Sequence, residues 1–277
     1  MSVNTLDEII LKTVDIPAVP MVAAKVMRLI ESPNCSLQEL QEVISGDPAV
    51  VSRLLRIANS SFYSGGKRQI DSAEAAVMTM GFDTLKNMVL ASSIKQVYKH
   101  FGLFEKMSWE HSLGVSMSAG MLAKQFGVRQ DEAATAGLLH DIGKVVINNR
   151  MPERYSNIIE TVYSENVHAY EIEDSEIGFN HCQVGELVAK KWKLSPSLIA
   201  AIAYHHYPDR IPEEEKEYTS LCELIKLTDG ICKSLGIGGG EPVATELDGA
   251  NIISQEELLN FVNEFKEKFL TEKLKFI

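Results

Sequence analysis

Gly137-Leu138-Leu139-His140-Asp141-Ile142-Gly143-Lys144 reads as the end of one helix and its sharp exit, and this stretch decides the fold. His140 and Asp141 are neighbours, about 100° apart on a helix. Both point into one cleft only if that cleft wraps around the helix. A divalent metal permits this, because imidazole and carboxylate then approach from adjacent directions. Lys144 lies four residues after His140 on the same helical face, which sets a cation beside the site.

Outward from this stretch, almost every segment has helical rhythm. Upstream, Trp109 to Phe126 is a long helix rich in small residues (Gly114, Ser116, Ser118, Ala119, Gly120), followed by a helix over Gln130 to His140. Downstream, a loop is expected from Gly143 to Pro152, then a helix over Glu153 to Asn166. Ile172 to Gly178 reads as an exposed turn or short helix. Further helices are expected over His181 to Trp192, from Ser195-Pro196 to His205-His206, and over Tyr218 to Leu235. Glu213 to Glu217 is a charged, solvated loop. Leu235 to Gly240 is glycine-rich but follows no strand, so it reads as a flexible connection rather than a phosphate loop.

The N-terminal third reads as short helices. Asn4 to Val14 is stopped by Pro17 and Pro20, and Met21 to Glu31 has a 3.6-residue apolar period. Ser36 with Glu39 makes a capping box for Leu37 to Ser45, and Asp47-Pro48 starts the next helix, which ends near Asn59. A loop at Ser64-Gly65-Gly66, a cap at Asp71 with Glu74, a break at Gly81 and a new start at Asp83 running to about His100 follow. At the other end, Ser254 and Glu257 cap a last helix with Leu258, Val262, Phe265 and Phe269 on one stripe. No strand-period segment is long enough to build a sheet.

The composition bounds the rest. A chain of 277 residues, 45% hydrophobic and 23% charged, has room for one large or two modest domains. A net charge of −11 argues against direct nucleic-acid binding, which needs a basic face. Asp7, Glu8 and Lys12 interrupt the apolar residues at the start, unlike a secretory signal, and no run approaches a membrane span of about 20 apolar residues. The chain is therefore expected to be cytoplasmic and away from membranes. Its four cysteines (Cys35, Cys182, Cys222, Cys232) form no CxxC pair and are expected to be free thiols.

Seven histidines remain to be placed. Five of them, His111, His140, His181, His205 and His206, could join Asp141 and Asp229 in one site. Asp229 sits among Leu224, Ile225, Leu227 and Ile231, and a buried carboxylate without a partner is costly, which favours a metal or a basic partner. His100 and His168 lie in polar, helix-terminal contexts and look ordinary.

The order of these residues resembles the HD superfamily of metal-dependent phosphohydrolases, whose pattern is H…HD…D, with a histidine and a His-His pair added in the two-metal form. The resemblance implies one metal held by His111, His140, Asp141 and Asp229. It implies a second held by His181, His205 and His206, with Asp141 bridging and Lys144 contacting a substrate phosphate. Two divalent ions are thus expected, iron or manganese ahead of zinc. The N-terminal third resembles a narrower family, the HDOD domains of bacterial signalling proteins. The matching residues are Ile16 to Pro20, Asp47-Pro48, Leu54 to Ser60 and Ala75 to Gly81. Many members of that family have lost metal ligands and act as regulators, whereas this chain keeps the full set. The Gly-Tyr-Pro signature of the cyclic-di-GMP-hydrolysing subfamily is absent, Tyr207-Pro208-Asp209-Arg210 standing after the His-His pair. Met107 occupies the place of a further ligating glutamate.

The expectation is an all-α chain: an N-terminal helical subdomain over 1–105, an HD-type metal-binding core over 106–240, and a connection with an amphipathic helix over 241–277. Two functions stay open. One is a signalling protein that hydrolyses a nucleotide or another phosphorylated small molecule. The other is a catalytically silent regulator that works through signalling protein partners.

Overall fold

The computed structural model describes residues 5–30, 36–59, 70–72, individual positions between 75 and 90, 94–99, 102–165, 167–239, 247 and 252–273. The expected features at Ser64 to Gly66, Glu74, Gly81, Asp83 and His100 lie outside these residues. Among the described residues the structure is helical and contains no strand. It is all-α, as expected, and no described helix is long and apolar enough to cross a membrane.

Helices α1 (Thr5–Thr13), α2 (Met21–Ile30), α3 (Leu37–Ser45) and α4 (Pro48–Ala58) form the N-terminal part. Local chemistry sets their starts. Ser36 and Glu39 close the capping box, and Asp47 Oδ1 accepts from the Ala49 and Val50 amides at 3.0 and 3.1 Å. Asn59 then clasps Ile70, accepting from its N–H at 2.6 Å and donating to its carbonyl at 2.5 Å. The segment Ile16 to Pro20 docks this part onto the rest. Trp192 Nε1 donates to Pro17 O at 3.0 Å and Lys191 Nζ to Ile16 O at 2.7 Å. Trp192 is fully buried, and truncating a side chain of that kind costs about 3–5 kcal/mol.

The remaining helices are α5 (Leu103–Leu122), α6 (Gln130–Leu139), α7 (Ile142–Arg150), α8 (Pro152–Glu165), α9 (Ala169–Ile177), α10 (His181–Lys191), α11 (Pro196–Tyr204), α12 (Thr219–Ser234) and α13 (Gln255–Glu272). The main contacts pair α5 with α6, α7 with α10, α10 with α11, and α12 with α5. Gly137 of α6 allows the first of these, since a Cβ there would stand 2.8 Å from the backbone of Val115 and Ser116. One apolar cluster continues from Ile10 in α1 through these helices to Phe269 in α13. The stripe of α13 packs inward as expected, with Leu258, Phe265 and Phe269 at most 1% exposed.

Two expectations need correction. The segment expected as a loop from Gly143 to Pro152 is helix α7, and Pro152 opens α8 at its first position. Gly143, two β-branched valines and Asn148-Asn149 lower its propensity. Burial of Val145, Val146 and Ile147 against α10 makes up the difference. Gly143 permits that approach, because a Cβ there would stand 1.9 Å from His181 O. Second, α5 begins at Leu103, six residues before the expected Trp109. Glu105, buried and receiving Asn148 Nδ2 at 2.7 Å, takes the Gly102 amide at 2.8 Å and supplies the cap that Gly102 lacks. Of the two readings open for Ile172 to Gly178, the short helix holds: α9 covers it and fully buries Glu173. By contrast, Glu213–Tyr218, a 3₁₀ helix, buries none of its residues, as expected of a solvated run.

Candidate metal centre

His140 closes α6 and Asp141 opens α7, so the two side chains diverge from one sharp junction. Each oxygen of Asp141 faces a different pair of imidazoles. Oδ2 lies 3.4 Å from His140 Nε2 and 4.0 Å from His111 Nε2, while Oδ1 lies 3.4 Å from His181 Nε2 and 3.8 Å from His205 Nε2. Asp229, from α12, sets Oδ1 at 2.9 Å from His111 Nε2 and 3.9 Å from His140 Nε2. His206 completes the group, its Nε2 3.0 Å from His181 Nε2. All seven expected ligand candidates therefore meet in one pocket.

The far nitrogen of four of these rings is tied down. Nδ1 faces Gly137 O in His140 (2.7 Å), Ile202 O in His205 (3.0 Å), Ile237 O in His111 (3.2 Å) and the Glu173 carboxylate in His181 (2.6 Å). An acceptor at Nδ1 keeps the ring proton there and turns the Nε2 lone pair toward Asp141. His111 Nε2 shares a hydrogen bond with Asp229 Oδ1 at 2.9 Å, while elsewhere in the group acceptor atoms face one another. Among the described residues, the buried atoms His140 Nε2, His205 Nε2 and Asp141 Oδ1 have no hydrogen-bond partner. Buried acceptors converging in this way suit a divalent cation. Two donor sets stand within 4.8 Å of internal separation: His111, His140 and Asp141 in one, and His181, Cys182, His205 and His206 in the other. The residues present fit a metal.

The charges agree. Burial opposes ionisation of Asp141, yet His140, Lys144 and His181 hold its carboxyl well below the usual range. Burial likewise opposes ionisation of Asp229, while Lys233 and His111 hold it low. Burial first, and then the neighbouring imidazoles, push His205 and His206 well below the ordinary histidine value, so both rings are neutral ligand donors. Cys182, the extra member of the second set, stands 3.9 Å from His205 Nδ1, and burial pushes its thiol well up.

Lys144 lies beside the site as expected, but its ammonium is bound to Asp141 Oδ2 at 2.7 Å. The sequence reading missed a matching lysine: Lys233 Nζ lies 2.6 Å from Asp229 Oδ2, one turn further along α12. It also missed Glu173 and its second partner, Tyr155, whose hydroxyl donates to Glu173 Oε1 at 2.7 Å. The i,i+4 spacing from Asp229 could have revealed Lys233; nothing local marks Glu173. The glycine-rich run is a further correction. Over Leu235 to Gly239 it forms a tight turn across α5, with Ile237 N–H donating to Cys232 O at 2.9 Å. Gly238 adopts φ +100°, and a Cβ there would meet His111 Cβ at 2.6 Å. This strap holds His111 in place, and Met107 fills the space beneath Gly239. His168 lies exposed at the rim, stacked on Tyr170, which stands 4.8 Å from the ring of His206.

A family model for the HDOD domain matches residues 16–208. The chain is 29% identical over 219 residues to an uncharacterized protein of Treponema pallidum, covering 77% of this chain and 42% of that one. Over 123 residues it is 30% identical to ribonuclease Y of Geotalea uraniireducens, covering 44% of this chain and 17% of the ribonuclease. It thus spans less than half the length of these curated relatives. Its fold is similar to the crystal structure of an HDOD domain protein of unknown function from Geobacter sulfurreducens. There the TM-score is 0.77 at 26% identity, over 98% of this chain and 95% of the other.

Proposed function

This chain belongs to the HDOD family, and on that footing we propose that it is a bacterial signalling module that holds two divalent metals and hydrolyses a phosphoester, such as a nucleotide. The observation that carries this reading is the division of Asp141, one oxygen toward His111 and His140 and the other toward His181 and His205. A carboxylate so placed suits a bridge between two ions. His111, His140, Asp141 and Asp229 would hold one, and His181, His205 and His206 the other. Imidazole and carboxylate donors together suit iron or manganese ahead of zinc. Metals held by these residues would supply the Lewis acidity that phosphoester hydrolysis needs.

The chain's own residues would do the rest. The fixed Nδ1 contacts keep each ring oriented before any ligand arrives. Lys144 and Lys233 hold two ammonium groups beside the carboxylates, where they offset charge that develops on phosphoryl oxygens. A phosphorylated small molecule fits this chemistry better than a nucleic-acid chain, given the net charge of −11.

A second reading has its own support. Each lysine is already paired with a carboxylate rather than directed at open space, which suits a regulator whose metals are structural or sensory and whose output is a contact with a signalling protein. One experiment separates the readings. Protein purified without chelator or affinity metal is assayed for metal content beside Asp141→Ala, then screened against phosphoesters. About two equivalents of metal, lost in the variant, together with turnover, is the expected result. Metal without turnover leaves the regulator, and a folded protein without metal overturns both.

A further inference from the structure

We infer that Glu173 is a positioning residue that lends negative charge, through His181, to a metal held by His181, His205 and His206; this rests on the two-metal reading above. The pocket is lopsided. The His111 side has two carboxylates, Asp141 and Asp229, whereas the His181 side has three imidazoles and only a share in Asp141. Glu173 lies directly behind that second side. Its Oε2 accepts from both the backbone N–H and Nδ1 of His181, at 2.7 and 2.6 Å, and its Oε1 accepts from Tyr155 Oη at 2.7 Å. Glu173, His181 and Tyr155 are each 0% exposed. No lysine or arginine is paired with Glu173 among the described contacts.

A carboxylate accepting from Nδ1 draws the ring proton toward itself and enriches the Nε2 lone pair, so His181 donates more strongly to a cation. It also fixes the ring's rotation, because the same oxygen holds the backbone amide at the start of α10. Tyr155 steadies the carboxylate: burial, and then the nearby Glu173, push its phenol well up, so it stays a donor. Buried negative charge without a cation in direct contact is costly, and Lys144, which feels Glu173 only at a distance, is bound to Asp141. A divalent ion one imidazole away supplies the missing partner.

The test uses Co²⁺ as the probe, titrated into chelator-treated protein with visible absorption and bound equivalents as readouts. Wild type is expected to bind two equivalents. In Glu173→Gln, which keeps shape and loses charge, the affinity of one equivalent should fall about ten- to a hundredfold. The other equivalent, and the metal-free melting temperature, should hold. Tyr155→Phe should weaken the same equivalent by a smaller factor, and it decides the matter if the glutamine variant does not fold. Unchanged affinity, or equal loss at both equivalents, overturns the role of Glu173 alone. A wild-type protein that takes up no cobalt overturns the two-metal reading and this inference with it.

Discussion

The two sides of Asp141 solve one electrostatic problem differently. On the His111 side, negative charge sits in the pocket itself, and each carboxylate carries its own ammonium: Lys144 on Asp141 and Lys233 on Asp229. On the His181 side the pocket presents imidazoles, and the charge stands one residue further out, in Glu173. The first side holds its ammonium groups in direct contact, whereas Glu173 on the second has none in contact among the described residues. A ligand set is therefore not characterised by its first ring of atoms alone.

Both sides depend on one contact, and breaking it should have the largest effect. Gly143→Ala would place a Cβ 1.9 Å from His181 O and 2.9 Å from Gly185 N, so α7 and α10 must separate. Asp141 and His181 sit on those two helices and would part. The expected result is a loss of about 3 kcal/mol, at the upper end for overpacking, seen as a lower thermal midpoint, with metal uptake failing on both sides. A variant that melts with the wild type would disprove the close approach.

A finer test removes one side at a time. His205→Ala and Asp229→Asn are each expected to cost about one metal equivalent, from opposite sides, while the protein stays folded. Elemental analysis reads the outcome. If either change empties the whole pocket, the two sides are one cooperative site and the contrast fails.

The effect of pH is gradual rather than abrupt. With metal chelated, His205 and His206 are held below their ordinary value of 6.5 by burial and then by neighbouring imidazoles. As pH falls below 6.5 the unfolded chain takes up protons that the folded chain refuses, so stability falls with it. Each such group contributes a slope of at most about 1.4 kcal/mol per pH unit. The carboxylates behave differently. Asp141 and Asp229 are held below the ordinary 3.8, so their contribution is intact above that value and is lost only as pH drops through the lower folded value. Acid should therefore weaken the imidazole side first. Denaturant midpoints at several pH values, with His205→Ala flattening the upper part of the curve, would check this; a flat profile between pH 7 and 5 would contradict it.

Much of this was legible in the chain. The capping pairs Ser36/Glu39 and Ser254/Glu257 and the Asp47-Pro48 start give local hydrogen bonds that need no tertiary partner, and each helix begins where they stand. The seven ligand candidates were legible because chemistry restricts the residue types and their order resembles the H…HD…D pattern. Helix α7 was not, since its propensity is poor and its stability comes from burial against α10. The strap over His111 was missed for the opposite reason: glycines permit flexibility and tight turns equally, and only contact with α5 chooses between them.

The sequence by itself determined that the chain is helical, where most helices start, and which side chains could bind a cation. These are short-range matters, decided by residues three or four positions apart. Tertiary structure alone decided which imidazoles each oxygen of Asp141 faces, the lysine held on each carboxylate, and the burial of Glu173. In Tyr170-Glu171-Ile172-Glu173-Asp174 the acidic residues look alike. Glu173 differs only because α9 packs where the start of α10 and Tyr155 of α8 can offer it donors, and the stability of a buried charge is set by partners distant in the chain.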